Sequence, residues 1–535
     1  ENCGPPSHEA LTTAPPRDRV PAYEDIDNIL RVEFQGASND GSRAIFVAND
    51  DLEGTTAPDI AESSGFDAER TQLYEHVAGE GLRFVCILPN GNELEEACSA
   101  GTRLGATQEV NNRLSNVDDA ISADGGRIFW TAGEAGVGNG VGRIFLSEGP
   151  GPSSQVSGTV STEPAFFWGA AEDGSKAVFS FTAGPLKEDL YEFDVATQTP
   201  QLIAKGVQGV MGMSEDASRI YLASTKALEG GAVEGQPNLY FYEAAEGGGP
   251  GQFEFIGTLS AAESLGLFPI SPNPSRRTSR VSPDGAHAAF TSKVPLTGYD
   301  NTDATSGKPD TEVFLYDADE ETLVCVSCNP TNARPSGSGG VAATLPPWER
   351  SLYASRLLSD DGERVFFESF EALELRDTNG AQDVYQWEAE GSGDCNANEA
   401  TFSEKSGGCV ELISSGESSK PSIFLDASRS GDDVFFTTLA SLVPQDFGLV
   451  DVYDARVAGG FPPPPSPRPP CEGEACQSPP PPPADPTPAS TLPSAGNPKP
   501  NKRCPKGKRL VKRGGKARCL KRKQRRHNRR GRPRR

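Results

Sequence analysis

The chain has 535 residues, with 58 glycines, 45 prolines and only 2 methionines, a balance that disfavours long helices and points to many short strands joined by turns. Its formal charge of −25 hides two opposed regions: Lys499–Arg535 carries 20 Lys/Arg and no Asp/Glu, leaving 30 basic against 75 acidic side chains elsewhere, a balance of −45. An acidic body with a basic end excludes a nucleic-acid-binding domain of the ordinary kind, and no apolar run reaches the ~18–20 residues of a membrane span.

The sequence begins at Glu1 with neither Met nor an apolar secretory segment. It is read as a mature or truncated product, so the missing signal does not argue for cytoplasm. Residues 1–22 are polar and proline-rich, a flexible lead-in. A first strand is expected at Ile29–Phe34, followed by SNDGSRAIF at Ser38–Phe46. This turn-and-strand motif returns at Ser122–Trp130, Glu172–Phe181, Ser214–Leu222, Ser282–Phe290 and Ser359–Phe367, with a degraded copy at Ser428–Phe436. Asp tolerates the turn geometry and bonds its own backbone, and Gly takes positive φ without a Cβ clash. The alternating run after each turn fits a pleated strand.

A second element follows each copy: Gln72–Val77, Arg143–Glu148, Asp189–Asp194, Asn238–Glu243, Glu312–Asp317, Asp383–Glu388 and Asp451–Arg456. A third often follows, as at Leu82–Leu88, Pro200–Ala204, Phe253–Gly257, Leu323–Ser327 and Cys409–Ser414. The strand entering each turn supplies a fourth. Such units, with turn aspartates 43–84 residues apart, read as four-stranded antiparallel blades stacked about an axis. The expectation is an all-β propeller over 23–458, seven-bladed, with six blades and a divergent seventh unit as the alternative. The last unit lacks a fourth strand, which a strand near Tyr23–Phe34 could supply. Insertions are expected at Gly91–Val117, Leu259–Arg280, Asn329–Arg350 and Gly391–Gly408.

Residues 459–500 are proline-rich, an extended linker. Residues 501–535 form the basic tail. Of 11 cysteines, ten fall in local pairs: Cys86 with Cys98, Cys325 with Cys328, Cys395 with Cys409, Cys471 with Cys476, and Cys504 with Cys519. Loop-clipping disulfides of an exported protein are the plain reading, with Cys3 left over. Cys504–Cys519 would staple a hairpin turning at Gly514-Gly515.

The SPDGAHAAF and DVYQWE elements resemble the WD40-like PD40 repeats of TolB-type β-propellers, over about Ile29–Val457. CVSCNP and the CPKGKR…GGKARC tail resemble a secreted actinobacterial subgroup. That resemblance implies a propeller fold and a range of roles, from periplasmic scaffold to propeller attached to a peptidase. The fourth unit departs from the pattern at Ala217, and the seventh lacks the Asp-Gly pair.

Neither G-x-S-x-G nor H-E-x-x-H occurs, and the four histidines show no triad or zinc spacing. No catalytic residue is assigned. Asp40, Asp124, Asp173, Asp216, Asp284 and Asp361 recur in one role and read as structural turn residues. Asp377, Asn379 and Asp383 place oxygen ligands around a Gly turn, a candidate for structural Ca²⁺, with a plain Asx turn as the competing reading. No other cofactor is implied. Cys325-Val-Ser-Cys328 ends a strand rather than opening a helix, which favours a structural disulfide over a redox site.

The expectation is a non-catalytic binding or scaffold propeller, secreted or at the cell surface. Its loops would meet a protein or cell-envelope polymer, and its Lys499–Arg535 tail an anionic cell-wall polymer. Specific nucleic-acid recognition is disfavoured. The alternatives are a glycan-active lyase or hydrolase with axial carboxylates, and an accessory propeller of a larger secreted enzyme. Acids and a lysine or arginine converging on the channel would favour an enzyme; an apolar channel would favour binding.

Overall fold

The structure is a computed structural model. It describes residues 30–58, 71–103, 115–133, 142–260, 269–271, 276–346, 354–459 and 504–521, apart from 31, 53, 246, 248, 444–445, 447 and 458. The lead-in at 1–22, Cys3 and the proline-rich stretch from 460 lie outside the described residues. The chain divides into two compact units, Glu1–Phe461 and Pro462–Arg535.

The first unit is an all-β propeller, with seven antiparallel sheets of three to five strands in series among the described residues and a short two-stranded pair, Thr102–Arg103 with Ser115–Asn116. The first pairs Val32–Ala37, Arg43–Ala48, Gln72–Val77 and Gly81–Phe84 in chain order. The third runs from Ala165–Ala170 to Thr199–Ala204, the fourth from Val207–Met213 to Gln252–Thr258, and the fifth from Ser279–Val281 to Thr322–Cys325. Each of these three also has four strands in chain order. Val32–Ala37 therefore belongs to the first sheet and is not the missing strand of the last. In the second sheet the inner strand is split: Cys98–Ala100 pairs with Ile128–Ala132, while Ile121 bridges to Ile128. The sixth is split likewise, between Ala343–Thr344 and Leu358. The seventh has three strands, Ile423–Ala427, Asp433–Thr438 and Asp451–Arg456.

The repeated turn explains the repeated sheet. Ser38 Oγ accepts the Arg43 N–H at 3.0 Å and donates to Asp40 Oδ1 at 2.8 Å, while Asp40 Oδ1 also accepts the Ser42 N–H. The same lock closes at Ser122/Asp124/Arg127, Ser214/Asp216/Arg219, Ser282/Asp284/His287 and Ser359/Asp361/Arg364. In the third sheet Ala171 replaces the serine, and Asp173 keeps the bond from the Ser175 N–H. Ala217 takes the glycine's place at φ +54°. In the seventh, Ser430 stands where the aspartate would, and Gly431 keeps positive φ at +76°.

These turns also join sheet to sheet. Asn39 N–H donates to Ala123 O, Ala123 N–H to Glu172 O, Glu172 N–H to Glu215 O and Glu215 N–H to Pro283 O, all at 2.7–2.8 Å. Proline has no N–H, so this ladder stops at Pro283. It resumes from Asp360 N–H to Arg429 O at 2.9 Å. Beneath the ladder, the side chain just after each turn lies under the next sheet's glycine. A Cβ on Gly125, Gly174, Gly285, Gly362 or Gly431 would strike Arg43, Arg127, Arg219, His287 or Arg364 respectively. Each of these bases also pairs with an acid on its own third strand, as in Arg43–Glu75 at 2.8 Å and Arg364–Glu388 at 2.7 Å.

The core is aromatic: within sheets the cross-strand pairs Phe46–Tyr74, Phe179–Tyr191, Phe290–Phe314, Phe367–Tyr385 and Phe436–Tyr453 stack at 5.7–5.9 Å, and Phe129–Phe167 and Phe366–Phe424 stack from one sheet to the next at 5.8 Å. Disulfides join Cys86–Cys98, Cys325–Cys328, Cys395–Cys409 and Cys504–Cys519. The fifth pair expected from spacing, Cys471 with Cys476, lies outside the described residues. In the second unit, Lys508–Arg513 and Lys516–Lys521 form a hairpin turning through Gly514 and Gly515, both at positive φ. No helix among the described residues is long and apolar enough to cross a membrane.

Ser359→Ala removes the hydroxyl that serves both the buried Arg364 N–H and Asp361. We expect it to lower unfolding free energy by about 1–2 kcal/mol, read as a fall in the urea midpoint at unchanged slope.

Candidate functional site at the propeller axis

The inner strands cannot all carry large side chains where they approach the axis. Two residues before the turn serine or alanine, the first, third and fourth sheets have Gly36, Gly169 and Gly212. Each sits where its strand's register shifts. A Cβ there would press on the next inner strand: Gly36 on Ile121, Gly169 on Met213 and Gly212 on Val281, all within 2.9 Å. The other sheets place Ala120, Arg280, Leu357 and Asp426 at this position. The fifth and seventh sheets therefore bring charge where their neighbours bring none.

The inner strands enclose a cavity of about 330 Å³. Its apolar wall includes Trp168, Val210, Met211, Met213 and Val281, and its charged wall is Asp118, Asp119, Arg277 and Arg280. Arg277 is 8% exposed and donates to Asp118 Oδ2 at 2.8 Å and to Ser271 O at 3.2 Å. Its second terminal nitrogen is buried without a partner. Arg280 donates to Ser355 O and Ser279 O at 2.9 and 2.6 Å and, among the described residues, makes no ion pair. Enclosure by protein and the neighbouring Arg277 pull its guanidinium down to about 10. Water reaches Arg280 through the cavity, so it is only half-buried despite that enclosure.

Asp119 follows Asp118 at φ +51°. Its carboxyl is open to cavity water although protein surrounds the cavity. That enclosure, with Asp118, Glu172 and Glu215 nearby, pushes it up to about 7. Glu172 and Glu215 lie on the turn ladder, so the mouth of the cavity is acidic. Asn39 Nδ2 donates across it to Glu172 Oε1 at 2.8 Å, linking the first sheet to the third. Arg356 and Arg429 approach Asp360 at 3.4 and 3.9 Å.

None of the six turn aspartates lines this cavity. Ser42 and Ser38 hold the Asp40 carboxyl down at about 2, the signature of a carboxylate fixed by donors. The Asp377 loop lies elsewhere, in the sixth sheet. Asp377 accepts from Asn379 N–H and Tyr385 OH, Asp383 from Asn379 Nδ2 and Ser414 OH, and Asn379 Oδ1 from Ala381 N–H. Protein donors therefore engage every one of these oxygens. Glu312 lies within ligand distance of both Cys325 and Cys328 sulfurs, which are joined in a disulfide. Asp118, Asp119, Arg277 and Arg280 were not singled out by sequence reasoning. The usable signal was the repeat position at which glycine gives way to Arg280.

No protein-family model and no curated protein matches the chain. Solved structures similar to it include a putative TolB from Agrobacterium tumefaciens, at 16% identity over 55% of this chain and 80% of that one, TM-score 0.28. The β-propeller domain of the Trilobed protease from Pyrococcus furiosus is similar at 11% identity over 80% and 95%, TM-score 0.33. An oligogalacturonate lyase from Vibrio parahaemolyticus is similar at 9% over 80% and 82%, TM-score 0.30. At such scores these neighbours say nothing of activity, and the propeller assignment rests on the serial sheets and their turn ladder.

Because Asp119 binds its proton more tightly in the folded chain than at the usual 3.8, the unfolded chain holds fewer protons between about pH 4 and 7. Stability from this group is full below that window and drains away as pH rises through it. Asparagine tolerates the positive φ. Asp119→Asn should therefore raise Tm relative to wild type more at pH 8 than at pH 4, as calorimetry at the two pH values would read.

Proposed function

We propose that this chain is a non-catalytic binding propeller of seven blades, working outside the cytoplasm, whose axial mouth and loops hold a protein or cell-envelope ligand. The observation that carries this reading is the axial cavity, where Arg277 and Arg280 are fixed by bonds to Asp118 and to backbone carbonyls. Groups locked in this way are preorganised to hold a ligand with little ordering cost. The only hydroxyl among its lining residues, Ser279, is turned away to Met211 O and Pro269 O and offers no nucleophile. The four disulfides are consistent with an extracellular or periplasmic location.

The tail supplies the anchor in this reading. The hairpin at 508–521 exposes Lys508, Arg509, Lys512, Arg513, Lys516 and Arg518 around a single disulfide. Such a surface attracts any polyanion, and salt screens that attraction. An exported chain meets anionic wall polymer before it meets nucleic acid. Truncation after Gly460 should abolish retention on purified anionic wall polymer while leaving the propeller's Tm unchanged. Wild-type retention should fall away by about 0.5 M salt. Retention unaffected by truncation or by salt would reject the anchor.

The enzyme reading has the arrangement expected of it, acids and arginines converging on one cavity: Asp118, Asp119, Arg277 and Arg280 line it together, and Asp119, near neutrality, can exchange protons. The two readings separate on turnover. Incubation with acidic oligosaccharides should release no new reducing or unsaturated ends; release that Asp119→Asn abolishes would establish the enzyme.

A further inference from the structure

We propose that the axial cavity is a receptor for a single carboxylate carried on an apolar body of about amino-acid size, gripped by Arg280 with Arg277 beside it. The inference rests on the binding reading above and names the ligand class for its site.

Three observations converge on it. Arg280 stands at the repeat position that holds Gly36, Gly169 and Gly212 in other sheets, so a long cation has been placed where the fold elsewhere makes room by omitting a side chain. Its guanidinium is held only by carbonyls, Ser355 O and Ser279 O, which orient it without neutralising it. Arg277 is held by Asp118 and Ser271 O with its remaining terminal nitrogen sealed from solvent, so it adds positive charge beside Arg280, while the half-buried Arg280 supplies the accessible donors. A carboxylate is the acceptor that pairs such a guanidinium most strongly. The planar guanidinium of Arg280 suits a two-oxygen anion better than a point charge.

The remaining surfaces set the rest of the ligand. Trp168, Met211, Met213 and Val281 make the opposite lining apolar. A volume of about 330 Å³ is at the small end of ligand pockets, which span about 300–1,000 Å³. The acidic groups facing the space are Asp118, Asp119 and, toward the mouth, Glu172 and Glu215, with Asp426 close to Arg280. They oppose a polyanion, so a single carboxylate is favoured only by direct pairing with Arg280, which makes no ion pair among the described residues. The carboxylate could end a peptide or belong to a free organic acid.

The test is calorimetric titration of the full chain with N-acetyl-phenylalanine, its C-terminal amide, a tripeptide ending in free phenylalanine, and inorganic phosphate. The carboxylate should bind, and the amide should bind at least about tenfold more weakly. Arg280→Gln should lose at least about tenfold, and Arg280→Lys, which keeps the charge without the planar fork, should fall between. Arg277 is the riskier variant, because removing it strands Asp118. Equal binding by the tripeptide and the free acid assigns the site to a peptide terminus; binding by the free acid alone assigns it to a small molecule. Equal affinity for the amide, preference for phosphate, an unaffected Arg280→Gln that folds as wild type, or no binding up to about 10 mM would each overturn the proposal. Wall-polymer retention without carboxylate binding removes this inference and leaves the tail anchor standing. Carboxylate binding without retention removes the tail anchor and leaves the axial binding reading and this inference standing.

Discussion

The propeller depends on one contact, made at five of the six junctions between successive turns and broken at Pro283: the hydrogen bond from the second residue of a polar turn to the same position of the next. It is a backbone bond, so it tolerates Asn39, Ala123, Glu172 and Glu215 in turn. It fixes neighbouring sheets at one end, where the base beneath each turn can then reach the following glycine. That base has two tasks. It neutralises an acid on its own third strand, as Arg364 does with Glu388, and it supports the next turn, as Arg364 does through Ser430 O and Asp432. Glycine is required there for two reasons, positive φ and the missing Cβ. Ala217 meets the first demand at a conformational cost, and the base below it is the slimmer Lys176.

Because the turns and aromatic stacks define the sheets, the inner strands are free to vary. Where glycine occupies the axial position, strands approach closely. Where Arg280 and Asp426 occupy it, the axis becomes charged. The break in the ladder at Pro283 falls in the same fifth sheet as Arg277 and Arg280, so the sheet at which the ladder breaks also brings both cavity arginines. A repeat scaffold thus separates the residues that hold it together from those that give it a chemical surface.

This separation also explains what could be read from sequence. Ser38-x-Asp40-Gly41 and its copies were legible because the turn is closed by residues within five positions of one another. The disulfides Cys86–Cys98 and Cys395–Cys409 were legible for the same reason, each spanning a short loop. Spacing alone carried the pairing of Cys471 with Cys476, in a proline-rich stretch with no strand pattern to support it. The insertion before Asn116 was legible as a gap, but its use was not: Asn116 Nδ2 bonds Phe167 O and Trp168 O of the next sheet. The cavity was hidden because its pairs are remote. Arg277 and Asp118 are 159 residues apart, and neither belongs to a motif. Among 75 acids, composition could not distinguish Asp118 and Asp119 from a solvated face. The Asp377 loop drew notice by its spacing, yet its oxygens meet Asn379, Tyr385 and Ser414, a network that locks the start of the following strand.

The seventh sheet shows what happens when no successor follows. Its charge pair is reversed, with Asp433 just after the turn and Arg456 on the third strand at 2.8 Å. A base after that turn would support no further glycine, so only the in-sheet half of its task remains, and either polarity satisfies it. One face, carrying Phe424, Phe436 and Tyr453, packs toward the sixth sheet through Phe366. The opposite face presents Ile423, Phe435 and Val452 to solvent, Val452 at 63% exposure. On the first sheet, Gly36 turns one face toward Ile121 of the second, and the other exposes Val32 and Phe34. The first and seventh sheets therefore each leave an apolar face exposed. An unpaired outer strand such as Asp451–Arg456 is also a template for an added strand. The last blade departs from the repeat for the same reason the others keep it: the pattern is a rule about neighbours, and among the described residues no further turn of this kind follows Gly431.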